Sequence, residues 1–198
     1  MLENKKTWNY EFEKNKSLQP GQMLLSEPFM DDDNFRRSVI LLCENDSENG
    51  TVGLILNRGL QVALNELDND FPMFKGKVWF GGPVATDTLQ FLHSLGDELE
   101  GTIRLSEHLY WGGNFEQLKL LIKEGKVGVN DVRFYLGYSG WSVGQLEEEM
   151  KSNSWIVAKA SYKYVFQTPI ESLWKDIMKD MGGVYNTMSG YPENPMFN

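Results

Sequence analysis

Leu136-Gly137-Tyr138-Ser139-Gly140-Trp141 follows a strand-like run and precedes a capped helix start. That is the setting of a nucleophile elbow, which presents a serine hydroxyl on a sharp strand-to-helix turn. The elbow needs glycine at both ends of G-x-S-x-G, and Trp141 stands where the second glycine belongs. Hydrolases of that type also place their histidine after the serine, whereas His93 and His108 both precede Ser139. An enzyme would therefore have to assemble Ser139, His93 and a carboxylate such as Glu44 in some other order. Arg36 and Arg37 offer different chemistry: two adjacent guanidiniums suit recognition of a carboxylate or phosphate, or else they neutralise Asp31 to Asp33. A third candidate is the surface from Ser139 to Glu147, where an exposed Trp141 would anchor a partner while Gln145 and Glu147 fix polarity. The competing reading is that Trp141 caps the core and Gln145 closes a capping box with Ser142.

Other chemistries are excluded by residue type and spacing. No two glycines are separated by a single residue, so the dinucleotide fingerprint is absent, and Gly76-Lys77-Val78 lacks the remainder of a phosphate-binding loop. Asn45, Ser47, Asn49 and Gly50 imitate the start of a calcium loop, but Leu56 occupies the twelfth position, where a bidentate glutamate is required. One cysteine allows no internal disulfide, and one cysteine with two histidines cannot fill a four-ligand Cys/His zinc site. No metal and no cofactor is expected. Cys43 lies within an apolar run and reads as a buried, inert thiol. Glu147-Glu148-Glu149 falls near the first turns of a helix, where the dipole favours acids.

The charge balance narrows the partners. Lys and Arg number 19 against 28 Asp and Glu, a formal charge of −9, so a phosphate backbone is repelled on average. The chain shows neither a helix-turn-helix signature nor a basic recognition helix, which argues against direct DNA binding. The charged N-terminus leaves no room for a signal peptide, and no apolar run reaches membrane-spanning length, so a cytoplasmic protein is expected, without a membrane.

The elements that must position these groups are a broken series of strands and three helices. Ser38 to Cys43 and Thr51 to Asn57 are β-rich runs joined by a polar loop, a hairpin whose continuous apolarity predicts burial on both faces. Further strands are predicted at Lys77 to Phe80, Leu89 to His93, Thr102 to Leu105, Leu109 to Trp111 and Val132 to Tyr138. Helix starts are marked by Asn114-x-x-Gln117, Ser142-x-x-Gln145 and Thr168-Pro169-x-Glu171. The first helix runs to about Glu124, and the third spans Pro169 to Met181 and stops at Gly182-Gly183. Trp8, Tyr10 and Phe12 belong to a leader over residues 1–20, and residues 184–198 form a Pro/Asn-containing tail without periodicity, loose or draped over the surface. A single domain fills residues 21–183.

Two stretches together carry a resemblance. Phe35-Arg36-Arg37-Ser38-Val39 leads through Cys43-Glu44 to Gly53-Leu54-Ile55-Leu56-Asn57, and Gly137-Tyr138-Ser139-Gly140-Trp141 leads to Gly144-Gln145-Leu146-Glu147 and Trp155. With Gly81-Gly82-Pro83-Val84 and Leu92-His93 between them, the chain resembles the YqgE/AlgH family of bacterial proteins over residues 20 to 181. Asn45 replaces a histidine often found after the Cys-Glu pair, and Arg58-Gly59 replaces a Lys-Pro, so a role resting on a histidine at position 45 does not carry over. The resemblance implies an α+β fold with a mostly antiparallel, bifurcated sheet forming a barrel-like core flanked by helices. Some members carry a transcriptional-regulator label, but the family brings no agreed substrate or catalytic residues to transfer. The reading that combines label and charge is a cytoplasmic binding or regulatory module acting through a protein partner or small ligand, the alternative being the Ser139, His93, Glu44 enzyme.

Overall fold

The computed structural model describes residues 18–193, so the aromatic leader around Trp8 lies outside the described residues. In chain order the strands are β1 (Gln22–Ser26), β2 (Val39–Asp46), β3 (Gly50–Ile55), β4 (Gly59–Ala63), β5 (Lys77–Phe80), β6 (Val84–His93), β7 (Ile103–Ser106), β8 (Leu109–Trp111), β9 (Val132–Trp141) and β10 (Trp155–Lys159). The helices are α1 (Leu64–Leu67), α2 (Phe115–Lys123), α3 (Gln145–Lys151), α4 (Leu173–Met181) and α5 (Gly183–Met188), with a π-helical turn over Lys163–Gln167.

The main sheet runs β10-β1-β2-β3-β9-β6-β8-β7, all antiparallel, and is not closed. It bifurcates at β9. One edge of β9 pairs with β6, while the other pairs with β5 in parallel through Phe134 to Leu136 and with β3 through Ser139 to Trp141. Gly137 sits between the two partners at φ +66°, a conformation that costs glycine nothing and other residues strain. Strand β4 hangs on β5.

Strand polarity explains the layers. On β2, Val39, Leu41 and Cys43 point into the core beneath α4, while Ile40 and Leu42 point into the core beneath α3. Met23 and Leu25 against Leu24 on β1, and Leu54 against Ile55 on β3, divide the same way. This is the two-sided burial that the apolar runs predict. Farther along, Val132 and Phe134 of β9 meet Leu118 and Ile122 of α2 in a third core.

Asn114 caps α2 as predicted, its side chain accepting the Gln117 N–H at 3.0 Å. The other two helices begin later than their sequence signals. α3 starts after Gly144 at φ +80°, and only half of the expected capping box forms, Gln145 reaching back to the Ser142 N–H at 3.1 Å. Pro169 to Ser172 make a turn before α4, bonded from the Ser172 N–H to the Pro169 carbonyl. Beyond Gly182 the chain forms α5 where no periodicity announced a helix, and Tyr191 then stacks on Phe29 with centroids 5.6 Å apart. No helix among the described residues is long and apolar enough to cross a membrane.

Candidate functional site

Ser139 is a structural residue. It is fully buried, pairs with Gly53 across β9 and β3, and its hydroxyl donates to the Gly81 carbonyl at 3.2 Å. The backbones of Gly81-Gly82 and Gly137 to Ser139 cross here without room for side chains. A Cβ on Gly81 would lie 2.2 Å from the Gly137 oxygen, and one on Gly82 2.2 Å from the Tyr138 carbonyl carbon. The glycine-rich motif around Ser139 therefore serves a strand crossing, which gives its glycines a purpose other than the nucleophile elbow that the pattern already failed to complete.

His93 is nowhere near it. His93 pairs with Val132 on β9, seven residues before Ser139, a separation of about 23 Å along an extended strand. Its ring is fully committed: Nδ1 accepts the Leu95 N–H at 3.2 Å, which leaves the proton on Nε2, within 2.7 Å of the Thr102 hydroxyl and 3.0 Å of the Gly112 carbonyl. Burial lowers its pKa from 6.5 to about 4, against the opposing pull of the Gly112 bond. Glu44 is exposed on β2 opposite Val52. The geometry brings none of these three groups together, and the Ser139, His93, Glu44 constellation is not an active site.

The candidate surface around Trp141 fails for a related reason. Trp141 is only 4% exposed, its ring meeting Phe35 and Trp155 with centroids 6.3 and 5.9 Å away. Its indole N–H donates to Glu149 at 2.9 Å, and Gln145 donates to the other oxygen of the same carboxylate at 3.0 Å. Trp141 seals a core, so it is no exposed anchor. Gln145 and Glu147 remain exposed on α3.

Arg36 and Arg37 turn the other way. The Phe35 ring goes to the Trp141 core, while the two guanidiniums line a cleft of about 600 Å³ together with Arg58, Lys175, Trp174 and Tyr191. Each arginine is held differently. Arg36 pairs with Asp33 at 2.9 Å and reaches Asp31 at 3.9 Å, the neutralisation that the sequence allowed as its alternative role. Arg58 donates to the Asp33 carbonyl at 2.7 Å. Arg37 is the most constrained: its backbone is left-handed at φ 54°, its guanidinium lies 4.1 Å over the Trp174 ring, and Nη2 donates to the carbonyls of Tyr191 and Pro192 at 2.8 and 3.0 Å. Arg37 Nε is buried and has no partner among the described residues.

Local sequence explains the posture. Asn57 accepts the Val39 N–H and donates to the Arg37 carbonyl at 2.8 Å, bracing the turn that presents Arg37. The Trp174 indole donates to the Ser26 carbonyl at 2.9 Å, which fixes the ring beneath the guanidinium. Burial pulls the Arg37 pKa down from its ordinary value, while the charges of Glu193 and Glu27 oppose that shift. Burial does the same to Arg58, opposed by Asp32 and Asp33. The cleft therefore gathers four cationic side chains against the carboxylates of Glu171 and Glu193, an arrangement that can attract an anion. Asn57, Arg58, Trp174 and Lys175 were not legible as site residues: Trp174 reads as helix core, and Arg58 stands out only where it replaces a lysine.

The AlgH-like family model matches residues 23–186. The chain belongs to the AlgH-like family. Among its AlgH-like relatives, a UPF0301 protein of Cytophaga hutchinsonii is 40% identical over 182 residues, covering 91% of this chain and all of that one. One of Chlorobium limicola is 39% identical over 188 residues, covering 95% and 98%. The solution structure of the AlgH protein from Pseudomonas aeruginosa superposes with a TM-score of 0.69 at 28% identity, covering 89% of this chain and 98% of that one. The crystal structure of DIP2367 from Corynebacterium diphtheriae shares the fold, with a TM-score of 0.75 at 24% identity and coverage of 89% and 94%.

Proposed function

We propose that this AlgH-like protein is a cytoplasmic binding module whose ligand site is the arginine cleft, and that the group it recognises is a carboxylate or phosphate on a small molecule or protein partner. The observation that carries the reading is Arg37: a guanidinium pinned on Trp174 and on the Tyr191 and Pro192 carbonyls, lining a cleft shared with Arg36, Arg58 and Lys175. A cation held this rigidly loses little further freedom when it binds, the condition that favours recognition over a merely solvated charge. The overall charge of −9 speaks against a DNA duplex as the ligand.

The test is titration of the protein with inorganic phosphate, followed by Trp174 fluorescence and calorimetry. Saturable binding that an Arg37→Gln, Arg58→Gln double variant loses while melting cooperatively supports the proposal. Equal binding by wild type and double variant, or no binding at low salt, overturns it.

A further inference from the structure

We propose that residues 189–193 are a strap across the arginine cleft, and that the strap and the anion are alternative occupants of Arg37. The inference rests on the cleft being an anion site and adds how access to it is controlled. The strap leaves the end of α5 as a turn, the Ser189 hydroxyl donating to the Asn186 carbonyl at 2.7 Å and the Tyr191 N–H to the Met188 carbonyl at 3.1 Å. Tyr191 then stacks on Phe29, with centroids 5.6 Å apart and planes 11° from parallel.

Past that stack the strap meets Arg37 through acceptors. Pro192 has no N–H to give, and the carbonyls of Tyr191 and Pro192 take Arg37 Nη2 at 2.8 and 3.0 Å. The same segment contributes Ser189, Tyr191 and Glu193 to the lining of the cleft. The Glu193 carboxylate brings with it a negative charge that acts on Arg37.

The donors of Arg37 make the two occupants exclusive. Nη2 carries two hydrogens, and the strap supplies two acceptors for them. Arg37 Nε is buried, so a planar fork to an anion has to come from Nη1 and Nη2 together. Nη2 is therefore wanted by both. An anion that takes the fork displaces at least one strap carbonyl and is repelled by Glu193 until the strap lifts. The exchange asks little of the rest of the fold: the Trp174 ring, 4.1 Å away, keeps the guanidinium in place while Nη2 changes partners. Glu193 is exposed and Tyr191 and Pro192 are half-buried, so water can answer the carbonyls that Arg37 releases. With the strap down, affinity for the anion is reduced by the fraction of molecules in which the cleft is open.

The experiment is an inorganic phosphate titration of the full-length, ¹⁵N-labelled protein as wild type and as Phe29→Ala. Phe29 carries no charge and lines no part of the cleft, so tighter binding by Phe29→Ala reports release of the strap and not a changed field. The expected result is a phosphate Kd lower by roughly fivefold or more, the factor by which a strap open about one-fifth of the time reduces affinity. In the wild type the ¹H–¹⁵N heteronuclear NOE of the Glu193 amide is expected to fall as phosphate saturates, because the strap lifts. That measurement decides the matter if Phe29→Ala does not fold. A Kd unchanged or raised in folded Phe29→Ala, or a Glu193 amide as rigid at saturation as without phosphate, overturns the strap and leaves the cleft standing as an anion site. Absence of phosphate binding in both proteins overturns the reading of the cleft, and the strap with it.

Discussion

Trp141 and Trp155 share one acceptor: both indole N–H groups donate to the same carboxylate oxygen of Glu149, at 2.9 and 2.7 Å, while their rings meet edge to face. The two tryptophans come from β9 and β10, strands that do not pair with each other, so Glu149 on α3 fastens the sheet's outer strand to its branching strand. Removing the carboxylate strands two indole donors in a sealed core. Glu149→Leu is expected to destabilise the fold by about 3 kcal/mol in urea unfolding, and Glu149→Gln, which keeps one acceptor oxygen, by about 1 kcal/mol. A Glu149→Leu variant as stable as wild type would show that the shared bond contributes nothing.

The crossing beside Ser139 is equally exacting. Gly137 has φ +66°, and a Cβ there would stand 2.6 Å from the Gly82 oxygen and 2.8 Å from the Val84 oxygen. Backbone cannot retreat as a flexible side chain can. Gly137→Ala therefore suffers both strain and collision, and a loss of more than about 2 kcal/mol is expected. Ser139→Ala, which removes one bond to the Gly81 carbonyl, is expected to cost only about 1 kcal/mol. Thermal melts of the two variants check the ordering. The reverse order would return Ser139 to consideration as more than a strand-crossing residue.

These two regions show what was legible in the sequence. Continuous apolar β-rich runs placed the β2–β3 hairpin, short apolar runs placed β5 and β8, and 3.6-residue spacing placed α2, because each buries its apolar residues against a contiguous core. Strands β1 and β10 escaped notice: they are short and lie near the sheet's end, where their pairing with each other and with β2 is information that no local window holds. The motif glycines were conspicuous, but a close approach of two backbones leaves the same mark as a catalytic turn. The arginine cleft was half visible. Arg36 and Arg37 are adjacent in sequence, whereas Trp174 and the carbonyls of Tyr191 and Pro192, which orient Arg37, lie more than 130 residues away.

Cys43 is expected to be unreactive in the native state. Burial pushes its thiol well above the usual range, Glu44 adds to the shift, and the Sγ donates to the Leu41 carbonyl at 3.6 Å. The thiolate is the nucleophile, so labelling must wait for opening of β2, a strand buried on both faces. Modification by a thiol-specific disulfide reagent should follow global unfolding across a urea series. Rapid labelling of the native protein would mean that β2 opens locally.

His93 makes acid stability a readout of the sheet's interior. In the unfolded chain the imidazole titrates near 6.5, and in the fold burial holds it at about 4. Between those values the unfolded chain binds a proton that the native state refuses, so stability falls as pH drops from about 6.5 toward 4 and is insensitive to this group above that window. The cost between pH 7 and pH 5 is roughly 1–2 kcal/mol. Protonation would also place a second N–H at Nδ1, where the Leu95 N–H already donates, so the charged ring loses a bond as well as its solvation. Urea unfolding of wild type and His93→Gln at pH 7, 6 and 5 isolates the term, because the carboxylates are common to both. The wild type should lose more stability than the variant across that range, and parallel losses would place the His93 proton on the native state at its ordinary pKa.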